Sequence, residues 1–375
     1  MCCEPLNRRQ PILGELGVVG VRENGHVVTF VPVRILNYFL LSTSCLSKTP
    51  MEGSLSVSAP VAYIVFNRPD HTRLSLARIR EMKPRQLFIV ADGPRLGMPE
   101  DARLCDEVRE LVAEIDWDCD VRQDYSERNL GCKVRVTSGL DWVFSHVDRA
   151  IVLEDDCIPH PDFFAFCDDL LDRYADDPRV ATITGGNFQD GRRRGDSSYY
   201  FSRYVHGWGW ATWQRAWSLR DPEITFWDTW RRSEEWRSTV PDPVERRYWG
   251  RAFDRVGNGD IWDYQWLAST WYHGGLTATP NVNLVSNIGF GPEALHTTDP
   301  TSPFADLPVT SLGPLTHPSD ITVDVEADRF VFDHVFGGAS LRRRRTPWGF
   351  VWWLVRGVTR ESRRRITAAF SKSAR

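Results

Sequence analysis

A chain of 375 residues that is 42% hydrophobic and 26% charged has ample apolar residue for a buried core. That excludes wholesale disorder and fits one large domain or two fused halves. The net charge of −4 is unevenly spread: Leu341 to Arg375 holds eleven Lys and Arg against one acid, a local +10, so residues 1–340 carry −14.

The first 55 residues differ in texture from the rest of the chain and read as an N-terminal extension. Val27 to Leu46 is fairly apolar, but Pro32, Arg34 and Asn37 interrupt it, which argues against a membrane-spanning helix. Met51 precedes a linker-like stretch and is a candidate for the true translation start. The eight cysteines show no CxxC pair and no zinc spacing, and fit reduced thiols of a cytosolic protein.

Regular patterning begins at Pro60. Val61 to Phe66 is a short apolar run, predicted as a buried strand. Asn67-Arg-Pro-Asp70 breaks it, with Asp70 as N-cap of a helix to Met82. Gln86 to Ala91 is a second buried strand, ending at the turn Asp92-Gly-Pro94. Pro99 to Ile115 carries one apolar stripe at helical spacing. Asp118 to Asp124 is a weak strand, Gly131 to Phe144 a helix, Ala150 to Glu154 a buried strand and Pro161 to Tyr174 a helix. This alternation predicts an α/β fold with a mostly parallel sheet covered by helices on both faces. Such sheets bind ligands beyond the carboxyl ends of their strands. Arg68, Asp92 and Glu154-Asp155-Asp156 all fall there.

Between Thr184 and Thr310 the chain holds eleven of its sixteen tryptophans and reads as short helices and loops packed on the sheet. Most of these rings are expected in the core. From Thr310 the chain is loop-like, and 341–375 is a basic, partly apolar tail.

The strongest chemical signal is the run of three carboxylates directly after a buried strand. Crowded carboxylates raise one another's pKa, so a cation is expected beside them. A divalent ion held by one or two of them and by diphosphate oxygens fits. The plain alternative is a solvated acidic turn that caps the next helix.

Glu154-Asp-Asp-Cys-Ile-Pro-His-Pro-Asp-Phe-Phe164 resembles the DXD-type signature of GT-A (Rossmann-like) glycosyltransferases. It is similar to N-acetylglucosaminyltransferase I and to bacterial family 2-like, hemolysin-like enzymes. Phe66-Asn-Arg-Pro69, Ala91-Asp-Gly93, Asn129-Leu-Gly-Cys-Lys133, Gly207-Trp-Gly-Trp210, Trp262-Asp-Tyr-Gln-Trp266 and Asn287-Ile-Gly-Phe-Gly291 extend the resemblance over Pro60 to Thr297. It implies a catalytic domain over 56–300, with a nucleotide-sugar half (56–160) and an aromatic-rich acceptor half (161–300), then a loop-rich segment (301–340).

By that resemblance Glu154 contacts donor-sugar hydroxyls, Asp155 the ribose and Asp156 a Mn²⁺ or Mg²⁺ ion. Asp92 accepts from a pyrimidine N–H, and Arg68 sits near the nucleotide and its phosphates. Lys133 reaches the diphosphate, or is a solvated helix lysine. Gly209 admits the donor sugar while Trp210 packs on it. Asp263, among aromatics, is the candidate base for the acceptor hydroxyl, with Asp228 as its rival. His296 is a candidate metal or phosphate contact, with a structural histidine as the alternative.

The implied activity is metal-dependent, inverting sugar transfer from a nucleoside-diphosphate sugar, a UDP-sugar by analogy, to a glycan or lipid-linked acceptor. A retaining course stays open. The rivals are a sugar-1-phosphate nucleotidyltransferase, disfavoured because Phe66 to Asp70 contains no glycine, and a catalytically inactive carbohydrate-binding protein. The tail has the make-up of an interfacial helix, so the protein is expected in the cytoplasm, docked on the inner face of an anionic membrane. Its apolar centre argues against nucleic acid.

Overall fold

The computed structural model describes residues 57–256, 261–291 and 299–344. The N-terminal extension, His296 and all of the basic tail beyond Arg344 lie outside these residues.

The first half alternates as its apolar runs require. Strand β1 (Val61–Val65) is followed by helix α1 (Pro69–Met82), β2 (Gln86–Ala91), α2 (Pro99–Ala113), β3 (Asp120–Tyr125), α3 (Cys132–Phe144) and β4 (Arg149–Glu154). Then come β5 (Cys157–Pro159), α4 (Pro161–Arg173) and β6 (Val180–Thr184). A proline opens α1, α2 and α4, where its missing N–H costs nothing. Asp70 is not the cap of α1 but lies in its first turn; Arg68 holds the cap position without a side-chain bond.

Side-chain alternation then divides the core. Val61, Tyr63 and Val65 face α1, α2 and α4, while Ala62 and Ile64 face α3. A strand covered on both faces must be apolar throughout, and every residue of β1 is buried.

The second half corrects the expectation of short helices and loops. It adds β7 (Tyr199–Ser202), β8 (Trp210–Trp213), α5 (Gln214–Trp217), α6 (Trp227–Trp230), α7 (Glu234–Thr239), α8 (Pro243–Phe253) and α9 (Asp263–Tyr272). Strands β9 (Leu276–Pro280) and β10 (Val285–Asn287) follow, then helices α10 (Val325–His334) and α11 (Gly338–Arg344). Four-residue strands buried on both faces leave no period-two signal, which is why β7 and β8 are not legible in the sequence. Helix α10 falls inside the stretch expected to be loop. Its stripe of Ala327, Val331 and Phe332 is interrupted by a buried carboxylate, Asp328, which pairs with Arg203 at 2.8 Å.

The main sheet has eight strands in the order β3-β2-β1-β4-β8-β6-β9-β7. Four of its seven pairings are parallel; β4/β8, β6/β8 and β7/β9 are antiparallel. The sheet is therefore mixed, with a parallel Rossmann-like half β3-β2-β1-β4 and an antiparallel element at β8. Chain order reverses between β1 and β4, the position where open α/β sheets form their ligand crevice. A third aromatic cluster, built on Trp227, Trp249 and Trp271, sits among α6 to α10.

Candidate functional site

The site begins where the β1–β4 ladder ends. Ile64 pairs with Glu154, and the Asp155 N–H still donates to the Ile64 carbonyl at 3.1 Å. Beyond that point both strands turn outward and their next side chains converge. Arg68 forms an ion pair with Asp155 and another, at 3.1 Å, with Asp156. Asp155 is only 2% exposed, so its charge depends on that guanidinium. Burial works against the Arg68 charge, but the carboxylates of Asp155, Asp156 and Glu154 overcome it and hold Arg68 protonated. The cation expected beside the triplet is thus partly supplied by the chain itself.

Burial, then the carboxylates of Asp156 and Asp155, push the Glu154 carboxyl up to about 8. Arg68 opposes this and Asp263 adds to it, so Asp263 lies within electrostatic reach of the triplet. Asp263 is exposed at the first turn of α9. Asp228 is exposed on α6, between Trp227 and Trp230 of the third aromatic cluster. The triplet does not serve as a helix cap: His160 caps α4 by accepting from the Asp162 N–H at 3.1 Å.

A glycine-rich loop roofs the triplet. β10 pairs antiparallel with β5, bringing Asn287 opposite Cys157. Asn287 donates to the Asp156 carboxylate at 3.2 Å and accepts from the Gly289 N–H at 2.8 Å. The Ile288 N–H donates to the Asp156 carbonyl at 2.9 Å, and the His71 ring bonds the Ile288 carbonyl at 3.2 Å. A Cβ at Gly289 would run into the Asp156 carboxylate. His71 carries no sequence signal; on its own it reads as an ordinary first-turn helix residue.

Asp92 is 5% exposed and already committed. Its oxygens accept from the Gly93 N–H at 2.8 Å, the Asn129 amide at 2.9 Å and the Leu130 N–H at 2.9 Å. Burial pushes its carboxyl above the ordinary value, against those donors. The visible work of Asp92 is to hold Asn129-Leu-Gly131, which leads into Lys133 on the first turn of α3. Gly93 is needed because a Cβ there would overlap the Arg128 backbone, 2.5 to 2.7 Å away. Asn67, also unremarked in the sequence beyond its motif, donates to Asp101 at 2.9 Å. Hydrogen bonds from Arg95 hold the Asp101 carboxyl down at about 2, against burial.

The structure corrects the role of Trp210. It is fully buried on β8, stacked on Trp262 at 5.4 Å, and has no ring face left for a sugar. Ten of the eleven second-half tryptophans are buried; Trp208 is the exception. Trp208 is half-buried and packs edge-on to Phe290 of the roof loop at 5.5 Å. Gly209 has a left-handed φ of +63° and lies so close to Val285 that a Cβ would approach within 2.7 Å. Its glycine is explained by packing of β8 on β10. His206, just before this loop, is pushed down to about 4 by burial and is therefore neutral.

Among the described residues no group of three or more His, Cys, Asp or Glu side chains could hold a metal by themselves. Asp156 offers one hard carboxylate at a strand end, steadied by Asn287 and Arg68. That donor set fits Mg²⁺ or Mn²⁺ when phosphate oxygens and water complete the shell, and does not fit an all-protein cage. The five cysteines among the described residues are free thiols, and no helix there is long and apolar enough to cross a membrane.

No protein-family model and no curated protein sequence matches the chain. Solved structures do align with it. A mannosyltransferase from Pyrobaculum calidifontis, in complex with GDP-Man and Mn²⁺, is 17% identical, covers 44% of this chain and 48% of its own, and has a TM-score of 0.30. Mouse xyloside xylosyltransferase 1 is 11% identical over 58% of this chain and 83% of its own, with a TM-score of 0.31. A UDP-glucose pyrophosphorylase complexed with UDP-glucose is 9% identical over 43% and 78%, with a TM-score of 0.28. The alignment spans about half the length of the Pyrobaculum protein. Likeness of this degree does not choose among these chemistries.

Proposed function

We propose that the chain is a GT-A-type glycosyltransferase. It would transfer a sugar, with inversion, from a nucleoside-diphosphate sugar, UDP-linked by preference, to a glycan or lipid-linked hydroxyl. The observation that carries this reading is the Glu154-Asp155-Asp156 turn at the β1/β4 switch point, clamped by Arg68 and roofed by Asn287 to Gly289, with Asp263 within electrostatic reach.

In this reading Asp156 would hold a Mn²⁺ or Mg²⁺ ion. When bound, that ion neutralises charge on the leaving diphosphate. Glu154 bonds donor-sugar hydroxyls, and its raised pKa suits it to donate as well as accept. Asp155, held by Arg68, serves the ribose; Asp92 fixes the Asn129 loop beside the base; Lys133 reaches the phosphates. Gly209 lets its strand close on β10, and the exposed edge of Trp208, rather than Trp210, meets the sugar. Asp263 takes the acceptor proton as that oxygen bonds to the anomeric carbon, and the bonding pair leaves with the diphosphate.

The test is Asp263→Asn. Turnover is expected to fall about a hundredfold or more with donor affinity nearly unchanged, while Asp228→Asn stays active. The reverse pattern would transfer the base role to Asp228.

A further inference from the structure

Helix α8 has two unlike faces. Glu245, Trp249 and Phe253 turn inward and are buried. The opposite face carries Arg246, Arg247, Gly250 and Arg251 at helical spacing and forms one wall of a cavity of about 490 Å³. α6 and α7 supply the other wall, with Arg231 and Arg237 beside the rings of Trp227 and Trp236. Five arginines therefore line one cavity against a single acid, Asp254.

Three of the five are committed. Arg231 pairs with Asp254 at 2.5 Å, Arg237 with Glu234 at 3.0 Å, and Arg246 donates to the Val240 and Pro241 carbonyls at 2.7 and 2.9 Å. Asp254 is further engaged by the Trp227 indole N–H at 2.9 Å. Among the described residues, the side chains of Arg247 and Arg251 have no hydrogen bond or ion pair. They stand one turn apart on the same face, where like charges repel and weaken the helix.

Gly250 lies between them. A Cβ there would meet only Trp227, at 3.9 Å, an ordinary contact, so packing does not demand glycine. Glycine inside a helix is less stable than alanine; here it keeps the wall open above the indole. Two unmatched guanidiniums, three more at the rim and a bare patch of backbone make a receptor for concentrated negative charge. Guanidinium forks match phosphate oxygens two at a time. A lone carboxylate brings one charge to this cavity; a diphosphate brings two or more in the same span.

We propose that the groove between α8 and the α6–α7 segment binds a diphosphate-bearing ligand, through Arg247 and Arg251, separately from the acidic turn at the sheet edge. Such a group occurs free in solution or as the head of a lipid, and the chemistry recognised is the same.

The experiment is calorimetric titration of the full chain with inorganic pyrophosphate in excess EDTA, where the acidic turn has no cation to attract it. Arg247→Glu/Arg251→Glu is expected to weaken binding at least tenfold. Gly250→Leu, which fills the groove, is expected to weaken it as well, while Arg78→Glu on α1 leaves it unchanged. Circular-dichroism melts establish that each variant is folded. A second arm sediments the same proteins with phosphatidylcholine vesicles containing a prenyl diphosphate. A deficit of the double variant there identifies a lipid headgroup as the source; equal sedimentation with lost pyrophosphate binding identifies a soluble one. No pyrophosphate binding by the native chain, or equal binding by the folded double variant, overturns the proposal.

Discussion

Gly289→Ala isolates the contact between roof and triplet. Gly289 is not among the glycines with positive φ, so alanine fits its backbone and the effect is steric. The added Cβ would lie 2.8 Å from the Asp156 Cγ and 3.0 Å from its Cβ, and closer still to a carboxylate oxygen. Carbon atoms settle at about 3.5–4.0 Å, so the roof or the carboxylate must retreat by something near 1 Å. Forced overpacking of this kind costs about 1–3 kcal/mol. In a chain of this size that lowers the melting temperature by about 2–6 °C. The assay is a double-mutant cycle by thermal and urea unfolding with Asp156→Ala, which removes the Cγ and the carboxylate. Gly289→Ala is expected to cost less in the Asp156→Ala background, with a coupling of about 1 kcal/mol or more. Strict additivity, or no cost in the native background, would refute the packing of Gly289 on Asp156.

Arg68→Met leaves Asp155, 2% exposed, without its cation. Breaking a buried pair from one side costs about 3–5 kcal/mol, and denaturant melts should show a smaller loss at pH 5 than at pH 8, because the stranded carboxylates take up protons. Equal losses at both pH values would contradict the neutralising role. His206 stays neutral down to about 4 in the folded chain, while an unfolded histidine protonates near 6.5. Between those values the unfolded state binds more protons, so stability is full above pH 6.5 and falls as pH drops towards 4, by on the order of 3 kcal/mol. His206→Gln should flatten that part of the pH profile of the melting temperature; an unchanged profile counts against a ring held neutral in the fold. A chain that stops after Arg344 keeps Arg342, which bonds Asp333 at 3.0 Å and also Asp242. It is expected to lose co-sedimentation with anionic liposomes at low salt, and equal sedimentation of both forms would remove the membrane role from the tail.

The sequence is most readable where burial dictates pattern. β2 is predicted over its full span and β1, β4 and α3 to within a residue, because two-sided burial demands continuous apolar runs and helices demand a stripe. The second half is opaque for a related reason. β7 and β8 are four fully buried residues each, too short to show a period, and their aromatics resemble those of any core. α10 hides behind Asp328, whose charge is matched by Arg203 from another part of the chain. At the site, residue types are legible and partners are not. The crowding of Glu154 to Asp156 implies a cation, but nothing local shows that Arg68 provides one. Nothing in the spacing of Gly207-Trp-Gly-Trp210 distinguishes Trp208 from Trp210 either; only β8 pairing, which turns one ring inward, separates them. His71 and Asn287 act through contacts more than a hundred residues away in sequence, beyond the reach of local reading.

If the acidic turn binds a nucleoside-diphosphate sugar together with a divalent cation, as proposed, donor binding depends on both the metal and Asp156. Thermal unfolding of the native chain and Asp156→Ala against a panel of nucleotide sugars, with Mn²⁺ and with EDTA, tests it directly. At a hundred times its dissociation constant a bound donor adds about 2.7 kcal/mol of stability. A stabilising shift is expected with at least one sugar nucleotide, present with Mn²⁺ and lost both in EDTA and in Asp156→Ala. No shift with any donor, or one that persists in EDTA and in the variant, would contradict it.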